Sequence, residues 1–282
     1  YSFMKISIVI PIYQSIENAE KELPEVIEYL KNKFREFELI FIIDNLFISD
    51  KVHALFDDKE YVSVYTLNKN YGQQFATLCG FYLAKGEYIV SVDEDVFEHI
   101  MQIDDHFNFN NYDAMYLYYD KKNMYQSKFR WFLSSIYKNI LLQLAGLNSY
   151  STSFRIIKSS LRDSILKQQH IYYNIEHCIS LETKSIGVQR ININDITDHN
   201  SSYNYSKLIN IAFQFFLESS TFIFISILLF IPYFIFLAYT KQYIVVSSVY
   251  LAIISLCTIF YYWKRFKKPK LKTLIEGAIL LK

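Results

Sequence analysis

Asp93, Glu94 and Asp95 stand where an apolar run, Tyr88-Ile-Val-Ser-Val92, stops abruptly. The run is short, β-branched and aromatic and follows Gly86, which is how a buried parallel strand reads. Open α/β sheets bind ligands at the carboxyl ends of their strands. Two carboxylates two residues apart at such an end can both turn toward one cation. A hard divalent ion such as Mg²⁺ or Mn²⁺ takes a few carboxylate oxygens and completes its shell with substrate phosphates. The acidic strand end therefore points to a nucleotide-diphosphate site. A solvated turn is the other reading of the same three residues.

The elements that must position this triplet are legible around it. Lys5 to Ile10 reads as a β-branched strand ended by Pro11, and Glu17 to Phe34 as a helix with Leu23, Val26, Ile27 and Leu30 on one face. Glu38 to Ile43 is a second buried strand, ending in Asp44, and Val62 to Tyr65 a third. Phe75 to Ala84 is helix-like, with Gly86 as its stop. With the strand before the triplet, this β-α-β-β-α-β order predicts an α/β domain whose sheet is mostly parallel, with helices on both faces. Ala114 to Tyr119 reads as a further strand and Phe129 to Leu144 as a long apolar helix.

Composition divides the chain. Of its 282 residues 52% are hydrophobic and 20% charged, so the apolar excess is local. No charged residue occurs in 219–240 or in 242–263, and Lys241 separates the two runs. Each run is about 22 residues, enough at about 1.5 Å per residue to cross a hydrocarbon core of roughly 30 Å. Pro232 in the first is tolerable in a membrane helix. The pair reads as a transmembrane hairpin.

Lys264, Arg265, Lys267, Lys268, Lys270 and Lys272 follow it, which places both flanks on the cytoplasmic side. Four segments are expected: a globular domain over 1–200, a juxtamembrane amphipathic helix over 201–218, the hairpin over 219–263, and a basic cytoplasmic tail over 264–282. The expected location is the inner membrane, multi-pass, with the globular domain and carboxyl end in the cytoplasm. An amphipathic helix beside a hairpin also allows a homo-oligomer. Net charge is +1, which argues against a nucleic-acid partner. Cys79, Cys178 and Cys257 are odd in number and widely spaced, so neither a disulfide framework nor a zinc site is expected.

Four segments taken in order resemble the family 2 glycosyltransferases of GT-A fold, and are most similar to the polyprenyl-phosphate glycosyltransferases. They are Val9-Ile-Pro-Ile-Tyr13 with Glu17 after it, Leu67-Asn-Lys-Asn-Tyr-Gly-Gln-Gln-Phe-Ala76, the Asp93-Glu-Asp95 triplet, and Ser202-Tyr203 with Lys207-Leu208. Phe154-Arg155 is a fainter match. The resemblance implies transfer of a sugar, with inversion, from a nucleotide-sugar, such as a UDP-sugar, to a polyprenyl-phosphate lipid for cell-envelope glycans. It also implies Mg²⁺ or Mn²⁺ on Asp93 and Asp95, and donor contacts from Pro11, Tyr13, Glu17, Asp44, Asn70, Gln73 and Asp93. Arg130 and Arg155 would contact phosphate oxygens.

Blander roles stay open for several of these: a helix cap for Asp44, Asn70 or Gln73, a surface ion pair for Arg155, and a structural place on a helix for Arg130. His99, Asp104, Asp105 and His106 read as a solvated helix face, and Glu176 with His177 as a satisfied surface pair. The chain departs from the family pattern in several places, two of them beside the acids. Asp44-Asn45-Leu46-Phe47 stands where Asp-Asp-Gly-Ser is usual, and Phe97 stands at the position of a metal-supporting Gln. These departures motivate one alternative, a non-catalytic scaffold; a second keeps the activity and moves the acceptor to a lipid-linked capsular or O-antigen glycan.

Overall fold

β1 (Ser2–Ile12) carries Ile6, Ile8, Ile10 and Ile12 toward one face of the sheet and Ser7 and Val9 toward the other, all of them buried. A strand apolar on both faces belongs in the middle of a sheet covered on each side. In the computed structural model β1 pairs in parallel with β2 (Phe34–Ile43) and with β4 (Tyr88–Ser91). β2 pairs in parallel with β3 (Val62–Thr66). β6 (Arg155–Lys158) runs antiparallel between β4 and β5 (Ala114–Tyr118), and β7 (Ile186–Arg190) runs parallel to β5. The order is β3-β2-β1-β4-β6-β5-β7, a mostly parallel α/β sheet with one reversed strand. The structure describes residues 2–14, 16–103, 111–118, 148, 150–168, 175–191 and 271–280.

Helices cover both faces. α1 (Glu17–Lys33), α2 (Ser49–Phe56) and the 3-10 segment Glu94–Gln102 lie over the face of Ile6, Ile8 and Phe41. α3 (Gln73–Leu83), α4 (Ser159–Lys167), α5 (Ile175–Glu182) and α6 (Leu271–Ala278) lie over the face of Val9, Ile40 and Ile42. These elements belong to one compact unit made of Tyr1–Met124, Tyr150–Asp195 and Lys270–Lys282.

Three expectations are corrected. β1 does not stop at Pro11 but continues to Ile12, with Pro11 opposite Ile42 in register. A helix, α2, connects β2 to β3, so the order is β-α-β-α-β-α-β. Only Val52 and Phe56 of α2 are buried, one pair of positions a turn apart, too few to show a helical period. The basic stretch expected as a tail holds α6 from Leu271 onward, and Leu271, Ile275 and Ala278 are wholly buried against the sheet domain. The runs 219–240 and 242–263, the amphipathic segment 201–218 and the apolar helix expected over 129–144, which carries Arg130, lie outside the described residues. Among the described residues no helix is long and apolar enough to cross a membrane.

α3 lies hard against β1 at one glycine. A Cβ at Gly80 would stand 2.1 Å from Val9 Cγ1 and 3.1 Å from its Cβ, and the β-branched valine has little freedom to yield. Gly80→Ala is expected to cost about 1–3 kcal/mol by overpacking, read as a lower denaturant midpoint. Gly277→Ala in α6, where a Cβ meets nothing within 4 Å, serves as the comparison. It should be neutral or stabilising by up to about 1 kcal/mol.

Candidate functional site

The strands β1, β2 and β4 all end on one edge, and the acidic residues follow directly from them. Asp93 leaves β4 half-buried, and both of its oxygens accept side-chain hydrogen bonds. Gln73 Nε2 donates to Oδ1 at 2.5 Å, and Ser153 Oγ donates to Oδ2 at 2.5 Å. Gln73 opens α3, while Ser153 arrives from the loop before β6. Ser153 is itself fixed, because its carbonyl accepts from Ser91 Oγ at 2.8 Å and from Arg155 Nε at 3.3 Å. Loss of solvation pushes the Asp93 carboxyl up to about 6, with the charge of Asp95 adding, against the opposing pull of Ser153, Arg155 and Gln73.

Glu94 points the other way along the chain. Its two oxygens accept from the backbone N–H groups of Tyr13 at 2.8 Å and Gln14 at 2.9 Å. The loop after β1 is thereby held to the loop after β4. Asn45 secures the same loop from β2: Nδ2 donates to the Tyr13 carbonyl at 2.9 Å, while Oδ1 accepts from Phe47 N–H at 3.1 Å. The departure at Asn45-Leu46-Phe47 thus makes a capped 3-10 turn, with Phe47 fully exposed on it.

Asp44 is buried, and its carboxylate accepts from Tyr71 N–H and Gly72 N–H, each at 2.7 Å. Burial raises its proton affinity, and those two amides pull against the rise. Gly72 has φ +90°, a left-handed conformation that suits glycine. It turns the chain into α3 so that Gln73 reaches Asp93. Asn70 Oδ1 also accepts from Gly72 N–H, at 3.0 Å, so Asn70 shapes the same turn.

The remaining expected residues fall as follows. Asp95 and Tyr13 are exposed at the edge, Pro11 is buried in β1, and Glu17 is exposed and paired with Lys51 at 3.2 Å. Arg155 is 1% exposed and pairs with Glu176, which is 8% exposed, at 3.1 Å. This is an interior ion pair rather than a surface one. Phe97 is buried, with its ring 6.2 Å from that of Phe41, so it is a core residue. His99 is buried, its ring 6.4 Å from that of Phe154, not on a solvated face. Asp104, Asp105, His106, Ser202, Tyr203 and Arg130 lie outside the described residues.

The structure therefore gathers Asp44, Gln73, Asp93, Asp95 and Tyr13 at one edge and adds Glu94, Asn45 and Ser153. Ser153 carries no local signal in the sequence beyond its place two residues before Arg155. Glu94 was legible only as the middle of the triplet, although extended backbone turns alternate side chains to opposite sides. Hard oxygen donors at the edge come from Asp95 and the outer lone pairs of Asp93. Among the described residues, no group of three or more His, Cys, Asp or Glu side chains is placed to hold a metal.

The family model described as Glycosyl transferase family 2 matches residues 7–166. Two undecaprenyl-phosphate 4-deoxy-4-formamido-L-arabinose transferases are similar over 97 residues. The one from Photorhabdus laumondii subsp. laumondii is 33% identical, and the one from Proteus mirabilis 32% identical. In each case the match covers 33% of this chain and 29% of the relative. The chain thus spans less than a third of the length of the curated relatives it matches. Among solved structures, glucosyl-3-phosphoglycerate synthase from Mycobacterium tuberculosis, in complex with uridine diphosphate, superposes with a TM-score of 0.52. It is 11% identical, with 76% of this chain and 78% of that chain covered.

Asp93 generates a test of the site's electrostatics. Its value of about 6 lies above the ordinary 3.8, so the fold favours the protonated carboxyl. Ionisation costs nothing in stability below about pH 4; the cost grows as pH rises toward 6 and is complete above it. Asp93→Asn is uncharged, and the Ser153 hydroxyl can rotate to accept from it. In metal-free buffer the variant should melt higher than wild type at pH 8 and equally at pH 4. Equal melting temperatures at both pH values would contradict this assignment.

Proposed function

As the chain belongs to glycosyl transferase family 2, we propose that it moves a sugar from a nucleotide-sugar, such as a UDP-sugar, to a polyprenyl phosphate in cell-envelope glycan synthesis. What carries this reading is the meeting of the acidic triplet with two other segments at one sheet edge. Glu94 ties in the loop of Tyr13, and Asp44 with Asp93 ties in the loop and helix start of Gly72 and Gln73. This makes a site whose walls are set before a ligand arrives, and catalysis by positioning needs that. The similarity to transferases named for undecaprenyl phosphate supports the lipid acceptor.

Each residue then has a stated task. Gln73 and Ser153 fix the direction of Asp93. Asp93 and the exposed Asp95 offer the hard oxygens that suit Mg²⁺ or Mn²⁺, with diphosphate oxygens filling the remaining positions. Such an ion supplies Lewis-acid neutralisation of charge on the departing diphosphate. Tyr13 presents an exposed ring at the same edge. A lipid phosphate is already ionised near neutral pH, so it attacks the anomeric carbon without a strong general base. Arg155 and Glu176 act from behind, through Ser153 and the potential at Asp93.

A membrane anchor fits this acceptor, and 219–240 with 242–263 is the segment we assign to it. Tyr150–Asp195 and Lys270–Lys282, on either side of these runs, belong to one compact unit, which suits a pair of spans that returns to its starting side. The charge pattern favours a cytoplasmic face of the inner membrane.

The test is a transfer assay on the full chain in detergent, with a panel of nucleotide-sugars, undecaprenyl phosphate, and Mn²⁺ or Mg²⁺. One sugar on a lipid monophosphate is the expected product, and EDTA should stop its formation. Absence of both turnover and metal-dependent nucleotide binding would sink the proposal. Asp95→Asn should lower turnover at least about 100-fold with an unchanged circular dichroism spectrum. Wild-type activity in that variant would refute the assignment of Asp95.

A further inference from the structure

The loop between β3 and α3 carries donor-site groups, yet Asn68, Lys69 and Asn70 in it are exposed. Exposed loop backbone with few buried contacts opens easily, so its shape depends on what anchors it at either side. On one side Asp44 holds Tyr71 and Gly72. On the other side stands α6, more than 200 residues away in sequence. Asn68 Nδ2 donates to the Gly277 carbonyl at 2.9 Å, and Asn68 N–H donates to the Ala278 carbonyl at 2.8 Å. Leu280 N–H donates to the Thr66 carbonyl at 2.9 Å, and Leu67 bridges Ile279 in antiparallel fashion.

The contact runs on toward the site. Tyr71 O–H donates to Asn68 Oδ1 at 3.0 Å, and the amide of Tyr71 is one of the two that Asp44 accepts. Gly277, Asn68, Tyr71 and Asp44 therefore form a continuous path of hydrogen bonds. The far end of the path is secured by burial of Leu271, Ile275 and Ala278 and by Tyr82 O–H donating to Glu276 at 2.8 Å.

We propose that α6 with residues 278–280 is a positioning element of the donor site. It sets the loop 67–72, acting through Asn68 and Tyr71, so that the amides of Tyr71 and Gly72 meet Asp44 and Gln73 meets Asp93. The inference rests on the donor-site reading above for its catalytic consequence, but the anchoring itself is read without substrate. It gives the segment that follows the two apolar runs a direct mechanical link to the nucleotide pocket.

Asn68→Asp is the test, because it keeps the shape of the side chain and the acceptor for Tyr71 but cannot donate to Gly277. In the full chain, hydrogen exchange at the amides of Tyr71 and Gly72 should quicken by about tenfold, as loss of one hydrogen bond implies. The nucleotide-sugar KM should rise by a similar factor, with kcat changed less than about threefold. Ile275→Ala, which loosens the buried face of α6, should shift both readouts in the same direction. Unchanged exchange at the two amides overturns the proposal, and so does faster exchange with an unchanged KM. If wild type shows no turnover at all while the variant still exchanges faster, the anchoring stands and the sugar-transfer reading falls.

Discussion

Acids at the ends of buried strands have lost part of their water, and they must find hydrogen-bond donors to remain charged there. The site of this protein is organised by how its acids meet that need. Asp44 takes the amides of Tyr71 and Gly72, Glu94 takes those of Tyr13 and Gln14, and Asp93 takes the side chains of Gln73 and Ser153. Each acid brings in a different segment, so the β1 loop, the α3 start and the loop before β6 are drawn to one edge. Asp95 is left exposed beside them. Three acids build the walls, and the fourth faces outward.

Behind these walls lies a charge pair that burial makes demanding. Arg155 and Glu176 are nearly inaccessible and 3.1 Å apart. Removing one member of such a pair leaves the other uncompensated, commonly at a cost of about 3–5 kcal/mol. Arg155 also donates to the Ser153 carbonyl and lowers the proton affinity of Asp93. Its charge thus reaches the site as electrostatic potential and as geometry, while the guanidinium itself remains inside.

The part of this arrangement that was legible in the sequence is the part that depends on near neighbours. β-branched runs marked β1, β2, β3 and β4 because a doubly covered strand is apolar throughout. The acids after β2 and β4 were legible because an apolar run ends at each. α2 was not, since only Val52 and Phe56 are fully buried. Ser153 was not, because an antiparallel pairing brings it to Asp93 from 60 positions away. Phe97 stands where a polar metal-supporting residue was expected, yet the ring fills the core beside Phe41. Arg155 was visible as a charge, but its burial depends on Glu176 and on the sheet above it. Lysine-rich flanks masked α6, whose fully buried positions Leu271, Ile275 and Ala278 are only three in number.

β3 is one edge of the sheet, and residues 278–280 lie along the chain that continues from it, with Leu280 bonded to Thr66 and Ile279 bridged to Leu67. An uncovered edge is a template for pairing with other chains. During synthesis this edge is made early and its cover late, after everything between Leu67 and Ala278 has emerged from the ribosome. At about 5–20 residues per second, the interval is on the order of ten seconds or more. Throughout it the nascent domain holds an unpaired carboxyl end of β3 and an incompletely anchored loop. The order of the elements along the chain therefore sets the order of maturation, with the loop 67–72 at the acidic edge anchored last.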